Sequence, residues 1–201
     1  MKVLIACEFS GIVREAFKAR GHDAWSCDLL PTEIPGQHIQ GDVLEILDQG
    51  WDMMIAHPPC TYLTVSANKW LKDQPERKSG ALVGAKRRKA REEAIRFFME
   101  LYNAPINRIA VENPIGCMSS VFRKPDQVLQ PWMFGHGETK ATCLWLKNLP
   151  KLTPTCIVEG REQKLHYLTP SPNRAMLRSI TYQGIADAFA DQYGGLVNAV
   201  K

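Results

Sequence analysis

The chain has 201 residues, 45% of them hydrophobic and 23% charged, which excludes a disordered tail protein, a collagen and a disulfide miniprotein. Its length predicts a single domain that buries a core without disulfide or metal staples. Lys and Arg number 25 against 21 Asp and Glu, a net charge of +4 that permits a polyanionic partner without demanding one.

No apolar run reaches the ~18 residues needed to span a bilayer. The start, Met1-Lys-Val-Leu-Ile-Ala-Cys-Glu8, is too short and too soon acidic for a signal peptide. A soluble, cytoplasmic protein without a membrane partner is expected. The six cysteines, Cys7, Cys27, Cys60, Cys117, Cys143 and Cys156, form no CxxC pair and match no zinc spacing. No metal is expected, and all but Cys60 read as small buried hydrophobes of a reducing compartment.

In chain order, Lys2–Cys7 reads as an apolar strand. Ser10–Arg20 reads as an amphipathic helix with Ile12, Val13, Ala16 and Phe17 on one face and Gly21 as its stop. Asp23–Asp28 is a second strand and His38–Gln40 a short third, followed by Asp42 and a short helix through Leu47. Asp52–Ala56 is a fourth strand, ending at His57-Pro-Pro-Cys60. Residues 61–81 are polar and not assigned. Leu82–Tyr102 is a long helix opening on Lys86-Arg-Arg-Lys-Ala-Arg91, and Arg108–Glu112 is a buried strand closed by Asn113-Pro114. Residues 115–142 are rich in Pro, Gly and aromatics and read as an ordered long loop. Thr142–Leu146 is a strand, and Gly184–Tyr193 a final amphipathic helix. This alternation predicts an α/β fold with a mostly parallel, doubly wound sheet.

Ligands of such sheets sit at the carboxyl ends of the strands. Those ends carry Glu8-Phe-Ser-Gly11, Asp28, Asp42, Pro58-Pro-Cys60 and Glu112-Asn-Pro114. Gly11 allows close backbone approach, and the helix after it aims its N-terminus at an anionic group such as a carboxylate. The turn is not GxGxxG, which disfavours a dinucleotide. Asp28 can accept ribose hydroxyls and Asp42 an adenine amine, so the set points to an adenosine-type cofactor. Two prolines fix Cys60 in space, and a cysteine at a strand end near helix N-termini can act as a nucleophile. With Glu112 beside it, the pair suits attack on a pyrimidine. The thiolate adds at ring carbon 6, the acid engages ring nitrogen 3, and carbon 5 becomes nucleophilic.

On these residues the chain resembles the cytosine-C5 DNA methyltransferases. Phe9-Ser-Gly11 looks like that family's Phe-x-Gly motif, Gly41-Asp42-Val43 like its adenine-side motif, Pro58-Pro-Cys60 like its nucleophile loop and Glu112-Asn-Pro114 like its Glu-Asn-Val. More closely, it resembles small phage and prophage members, through Gln130-Pro-Trp-Met-Phe-Gly135, Lys140, Cys143-Leu-Trp-Leu-Lys147, Leu149-Pro150 and Gly184–Tyr193. The resemblance implies a Rossmann-like methyltransferase fold, S-adenosylmethionine as cofactor, Cys60 as nucleophile, Glu112 as activating acid, and DNA with a flipped-out cytosine as partner. Cofactor contacts would come from Glu8, Phe9, Ser10, Gly11, Asp28, Asp42 and Pro58.

Thr61 stands where the family often has Gln, and Gln-x-Arg-x-Arg is not visible; Arg174 and Arg178 are the nearest candidates, with Arg178 placed among the catalytic residues. Val197-Asn-Ala-Val200 is a shallow echo of the C-terminal Gly-Asn motif. No separate target-recognition lobe of the kind the family carries is expected in these residues. Residues 1–116 carry the cofactor and catalytic motifs, and 117–201 complete the sheet. DNA contact would therefore fall to Lys86, Arg87, Arg88, Lys89 and Arg91, with Arg77 and Lys78 before them, and target choice to a homodimer or partner subunit. The segment Gln130–Phe134 with His136 could stack on an extruded base. His57-Pro-Pro-Cys60 lacks the polar first and aromatic fourth residues of amino-methyltransferases, which disfavours N4 or N6 methylation. Two other readings remain: the same chemistry on single-stranded DNA or a free pyrimidine nucleotide, and a catalytically silent DNA- or partner-binding relative.

Overall fold

The computed structural model describes residues 1–169, 171 and 174–196. Seven strands form one sheet: β1 (Lys2–Ala6), β2 (Asp23–Asp28), β3 (His38–Gln40), β4 (Met53–Ala56), β5 (Arg108–Pro114), β6 (Gln127–Leu129) and β7 (Thr142–Lys147). Their order is β3-β2-β1-β4-β5-β7-β6. β1 to β5 pair in parallel, and β7 pairs antiparallel with both β5 and β6. Only β7 is therefore reversed. The sheet is the mostly parallel, doubly wound α/β sheet of a Rossmann-like fold, as expected from the sequence.

Side-chain alternation along the strands divides the core into two layers. Val3, Ile5, Met53 and Ile55 face α1 (Ile12–Lys18) and α6 (Gln183–Gly194), where Phe17, Phe189 and Tyr193 fill the layer. Leu4, Ala6, Met54 and Ala56 face α2 (Gly84–Tyr102), through Phe98 and Leu101, with Trp145 packed edge-on against Phe98. Both faces are covered, so the central strands read as continuous apolar runs rather than alternating ones.

Most boundaries shift by a residue or two from expectation, and three departures have local reasons. α1 starts at Ile12, not Ser10, because Gly11 takes a left-handed φ of 78° as its N-cap. β5 runs on through Pro114, because its last residues pair with the start of β7, Pro114 opposite Thr142. The expected loop 115–142 contains α3 (Met118–Val121) and β6, elements of four and three residues that are too short to leave a periodic signal.

Candidate active site

Strand order reverses between β1 and β4, and the crevice outside their carboxyl ends is where such sheets bind ligands. The turns after β1 and β4 bring Cys7–Gly11 and His57–Cys60 to that edge, the ends of β2 and β5 bring Asp28 and Glu112–Asn113, and Asp42 follows β3.

The β1 turn is built differently from the expected carboxylate cradle. Glu8 is buried, and its carboxylate accepts the Val13 amide at 2.7 Å, the Arg14 amide at 3.2 Å and the Ser10 hydroxyl at 3.2 Å. The anion at the N-terminus of α1 is thus the chain's own. Glu8 and Ser10 act on the helix, and Phe9 is half-buried, its carbonyl accepting the Glu33 amide at 2.9 Å. A Cβ on Gly11 would lie 2.7 Å from Nη2 of the buried Arg14, so that glycine also makes room for a guanidinium. Glu8→Ala is expected to cost about 2–3 kcal/mol in urea denaturation, because two helix amides lose a charged acceptor; Glu8→Gln, which keeps one accepting oxygen, loses less.

Asp28 and Asp42 each use one oxygen locally. Asp28 Oδ1 accepts the Leu30 amide at 2.9 Å, and Asp42 Oδ1 accepts the Leu44 amide at 3.0 Å as the cap of the 3-10 turn Val43–Ile46. Both second oxygens have no hydrogen-bond partner among the described residues. The two acids converge on Cys7, whose thiol is pushed far up by burial first and then by Asp28 and Asp42. Cys7 has a left-handed φ of 58°, which turns the chain at the crevice floor. Beside Asp28, Leu29 is 72% and Leu30 51% exposed, an apolar ledge that strand periodicity gave no means of finding.

Cys60 is exposed, and its carbonyl accepts the Leu63 and Thr64 amides, which closes a tight turn after the prolines. Pro58 is buried, and its carbonyl accepts Asn113 Nδ2 at 2.9 Å, so the end of β5 holds the cysteine loop directly. The loop is fastened again where the Cys117 amide donates to Leu63 O at 2.8 Å. A Cβ on Gly116 would lie 2.3 Å from that carbonyl, so only glycine lets the two segments meet.

Although the residue reaches solvent, the Cys60 thiol is pushed up by desolvation and next by Glu112. Its own amide, Lys140 and Arg178 pull the other way and do not compensate. Cys60, Glu112 and Arg178 of α5 (Arg174–Ser179) therefore share one electrostatic environment, to which Lys140 belongs as well. Glu112 is held below the usual carboxylate range. Burial pushes it up, but hydrogen bonding and charge from His57, the charge of Lys140 and the Thr142 hydroxyl outweigh that. His57 Nδ1 lies 3.2 Å from Glu112 Oε2. His57 and Lys140 are members of the cluster to which the motifs assigned no chemistry.

The basic run is rearranged. Arg87 is buried and donates to Leu82 O and to Thr61 O at 3.0 Å, and Arg91 donates to Tyr62 O at 2.7 Å and to Asn68 Oδ1. Arg88 pairs with Asp73 and Lys86 with Glu76. These four strap the segment 61–82 onto α2, since that polar segment has few apolar residues to anchor it. Lys89 remains exposed, as do Lys72 and Lys78, and Arg77 stacks on Trp70 with its guanidinium 3.7 Å from the ring centre. The aromatic segment after β6 is also spent on packing. Phe134 is buried, Trp132 lies under the Arg161 guanidinium, and His136 Nε2 accepts the Gly184 amide at 3.0 Å. Val197–Val200 lie outside the described residues. Among the described residues no cluster of His, Cys, Asp and Glu is arranged to hold a metal, and no helix is long and apolar enough to cross a membrane.

Sheet order and crevice define a protein of Rossmann-like α/β fold. No known family model matches the chain, and no curated protein matches its sequence. Among solved structures it is similar to a protein described as a DNA modification methyltransferase of an E. coli prophage, at 15% identity and a TM-score of 0.48, over 84% of this chain and 55% of that one. It is also similar to a triple mutant of DNMT2 from Spodoptera frugiperda, at 13% identity and a TM-score of 0.43, over 80% of this chain and 54% of that one. The chain spans about half the length of each.

Proposed function

We propose that this protein is an S-adenosylmethionine-dependent DNA methyltransferase that modifies carbon 5 of cytosine through a covalent bond from Cys60. The observation that carries the reading is the joint placement of Cys60 and Glu112. The two groups sit at the ends of adjacent strands β4 and β5, tied together by Asn113 and coupled electrostatically. A thiol with a carboxyl in reach suits addition to a pyrimidine ring.

The residues fit the cofactor. Asp28 and Asp42 each keep a carboxylate oxygen without a described partner, and the ledge Leu29-Leu30 offers apolar surface beside them. When bound there, S-adenosylmethionine supplies the electrophilic methyl group. Cys60 supplies the thiolate, Glu112 the proton to ring nitrogen 3, and Lys140 and Arg178 positive charge beside the developing anion. DNA contact shifts from the strapped arginines to Lys72, Lys78 and Lys89, and the target base is flipped out of the duplex.

Adduct formation with 5-fluorocytosine DNA tests this reading, since fluorine at carbon 5 blocks release of the enzyme. Because the thiol is held above its ordinary value, the thiolate fraction at neutral pH is small, and the trapping rate is expected to rise about tenfold per pH unit from pH 6 upward. Lys140→Gln removes a charge that lowers the thiol and moves this limb to higher pH. No adduct at any pH would overturn the assignment.

A further inference from the structure

A short ribbon joins the segment after Cys60 to the segment after Glu112. Thr64 and Gly116 form an antiparallel bridge, closed by the Val65 amide on Ile115 O at 3.3 Å and the Cys117 amide on Leu63 O at 2.8 Å. That register sets Val65 opposite Ile115, so the two side chains leave one face of the ribbon as neighbours. Val65 is 48% and Ile115 50% exposed, whereas Leu63 is fully buried and anchors the other end.

The ribbon is braced from three sides. Cys60 O accepts the Leu63 and Thr64 amides. Arg87 grips Thr61 O, and Arg91 grips Tyr62 O and Asn68 Oδ1. Gly116 leaves no room for a Cβ against Leu63 O. An exposed valine or isoleucine is ordinary by itself. Here two are held opposite one another on a fixed support, with the nucleophile behind one strand and the acid behind the other.

The surrounding charge points to what meets them. Segment 61–82 holds two acids, Asp73 and Glu76, and α2 pairs both through Arg88 and Lys86. Its four bases, Lys69, Lys72, Arg77 and Lys78, have no ion-pair partner among the described residues, and Lys69 and Arg77 both lie over Trp70. An apolar tip beside unpaired cations matches a duplex, which carries phosphates outside and stacked bases inside. The aromatic segment Gln130–Phe134, expected to enter a duplex, is spent on packing.

We propose that Val65 and Ile115 form an apolar wedge that enters double-stranded DNA beside the target base pair and holds it open while Cys60 reaches the base. This rests on the cytosine-C5 reading of the site. Both tips are aliphatic, so they part stacked bases without hydrogen-bonding to them and read no sequence. Lys69, Lys72, Arg77 and Lys78 seat the flanking phosphates. The wedge matters only where the target base is paired, because a base already free needs no opening.

The test compares wild type with the double variant Val65→Ser, Ile115→Ser. Adduct formation is followed on 5-fluorocytosine DNA of mixed sequence, as a matched duplex, as a duplex with adenine opposite each 5-fluorocytosine, and as a single strand. The double variant is expected to lose about 10–100-fold on the matched duplex and to stay within about twofold of wild type on the other two. Retained reaction on the unpaired substrates also shows that the variant folds and keeps its chemistry. Val65→Leu with Ile115→Leu, which keeps apolar tips, is expected to react with the matched duplex nearly as wild type does. An equal loss on all three substrates, or no loss on any, would overturn the wedge. So would unchanged reactivity combined with a shift in oligomeric state on size-exclusion chromatography, which would make the pair a contact between copies. A second readout needs no covalent chemistry. In a matched duplex with 2-aminopurine beside the cytosines, fluorescence is expected to rise with wild type and not with the serine variant. No wild-type adduct on any DNA, with that rise intact, would remove the cytosine reading and leave the wedge standing; no rise with wild type would overturn the wedge itself.

Discussion

Cys60→Ala is expected to abolish cytosine methylation, with a loss on the order of 10⁴-fold or more, and to remove every covalent adduct with 5-fluorocytosine DNA. Carbon 5 of cytosine is a weak nucleophile until a group adds at carbon 6, so without the thiol no partial route remains for the other residues to assist. The substitution is also clean. The residue is exposed, and the turn it belongs to is closed by its backbone carbonyl rather than its side chain. Stability should therefore change by no more than about 0.5 kcal/mol. Affinity for S-adenosylmethionine should hold, because Asp28 and Asp42 lie on the β1 side of the crevice. Mass spectrometry of DNA from expressing cells reads the outcome, with duplex, single-stranded DNA and free nucleotide compared in vitro. Modified cytosine persisting in the Cys60→Ala strain would end the nucleophile assignment. A modified nucleotide pool beside unmodified DNA would move the substrate to the free pyrimidine.

Strand ends were legible because buried parallel strands are short apolar runs that stop at polar residues, as at Asp28 and His57. β2 and β3 match their expected bounds for that reason. What was not legible is where a polar side chain spends its hydrogen bonds. Glu8 reads the same on paper whether it meets a ligand or caps its own helix, and only the i+5 and i+6 amides decide it. A run of basic residues likewise does not declare its direction. Arg87 and Arg91 turn inward because the polar segment 61–82 offers carbonyls and little apolar anchoring, whereas Lys89 on the same helix points to solvent. His57 does not match the polar first residue of an amine-binding tetrapeptide, and nothing else in its local sequence marks it. Its contact lies across the sheet, 55 residues on, where no local pattern reaches.

Arg14 carries the largest expected effect on stability. It sits on α1 with no exposed surface, a position that helical periodicity reserves for an apolar residue. Its guanidinium donates to Ser26 Oγ at 2.8 Å, Thr32 Oγ1 at 3.2 Å, Ile34 O, and Glu15 at 2.8 Å, and so gathers β2 and the loop 29–37 onto the helix. Gly11 and Gly36 are shaped around it, since a Cβ at either would lie within 3 Å of Nη2. Arg14→Met fills much of the volume but takes the donor from the buried Ser26 hydroxyl and from three part-buried acceptors, and is expected to cost about 2–4 kcal/mol in urea denaturation. Arg14→Lys should rescue little, because one ammonium cannot reach four acceptors spread across a planar fork. The loop so released carries Leu29 and Leu30 beside Asp28, so S-adenosylmethionine affinity should fall in both variants under conditions where they remain folded. A cost below about 1 kcal/mol would mean that the loop is held by its apolar contacts, and the cofactor side of the crevice would then stand independently of the buried guanidinium.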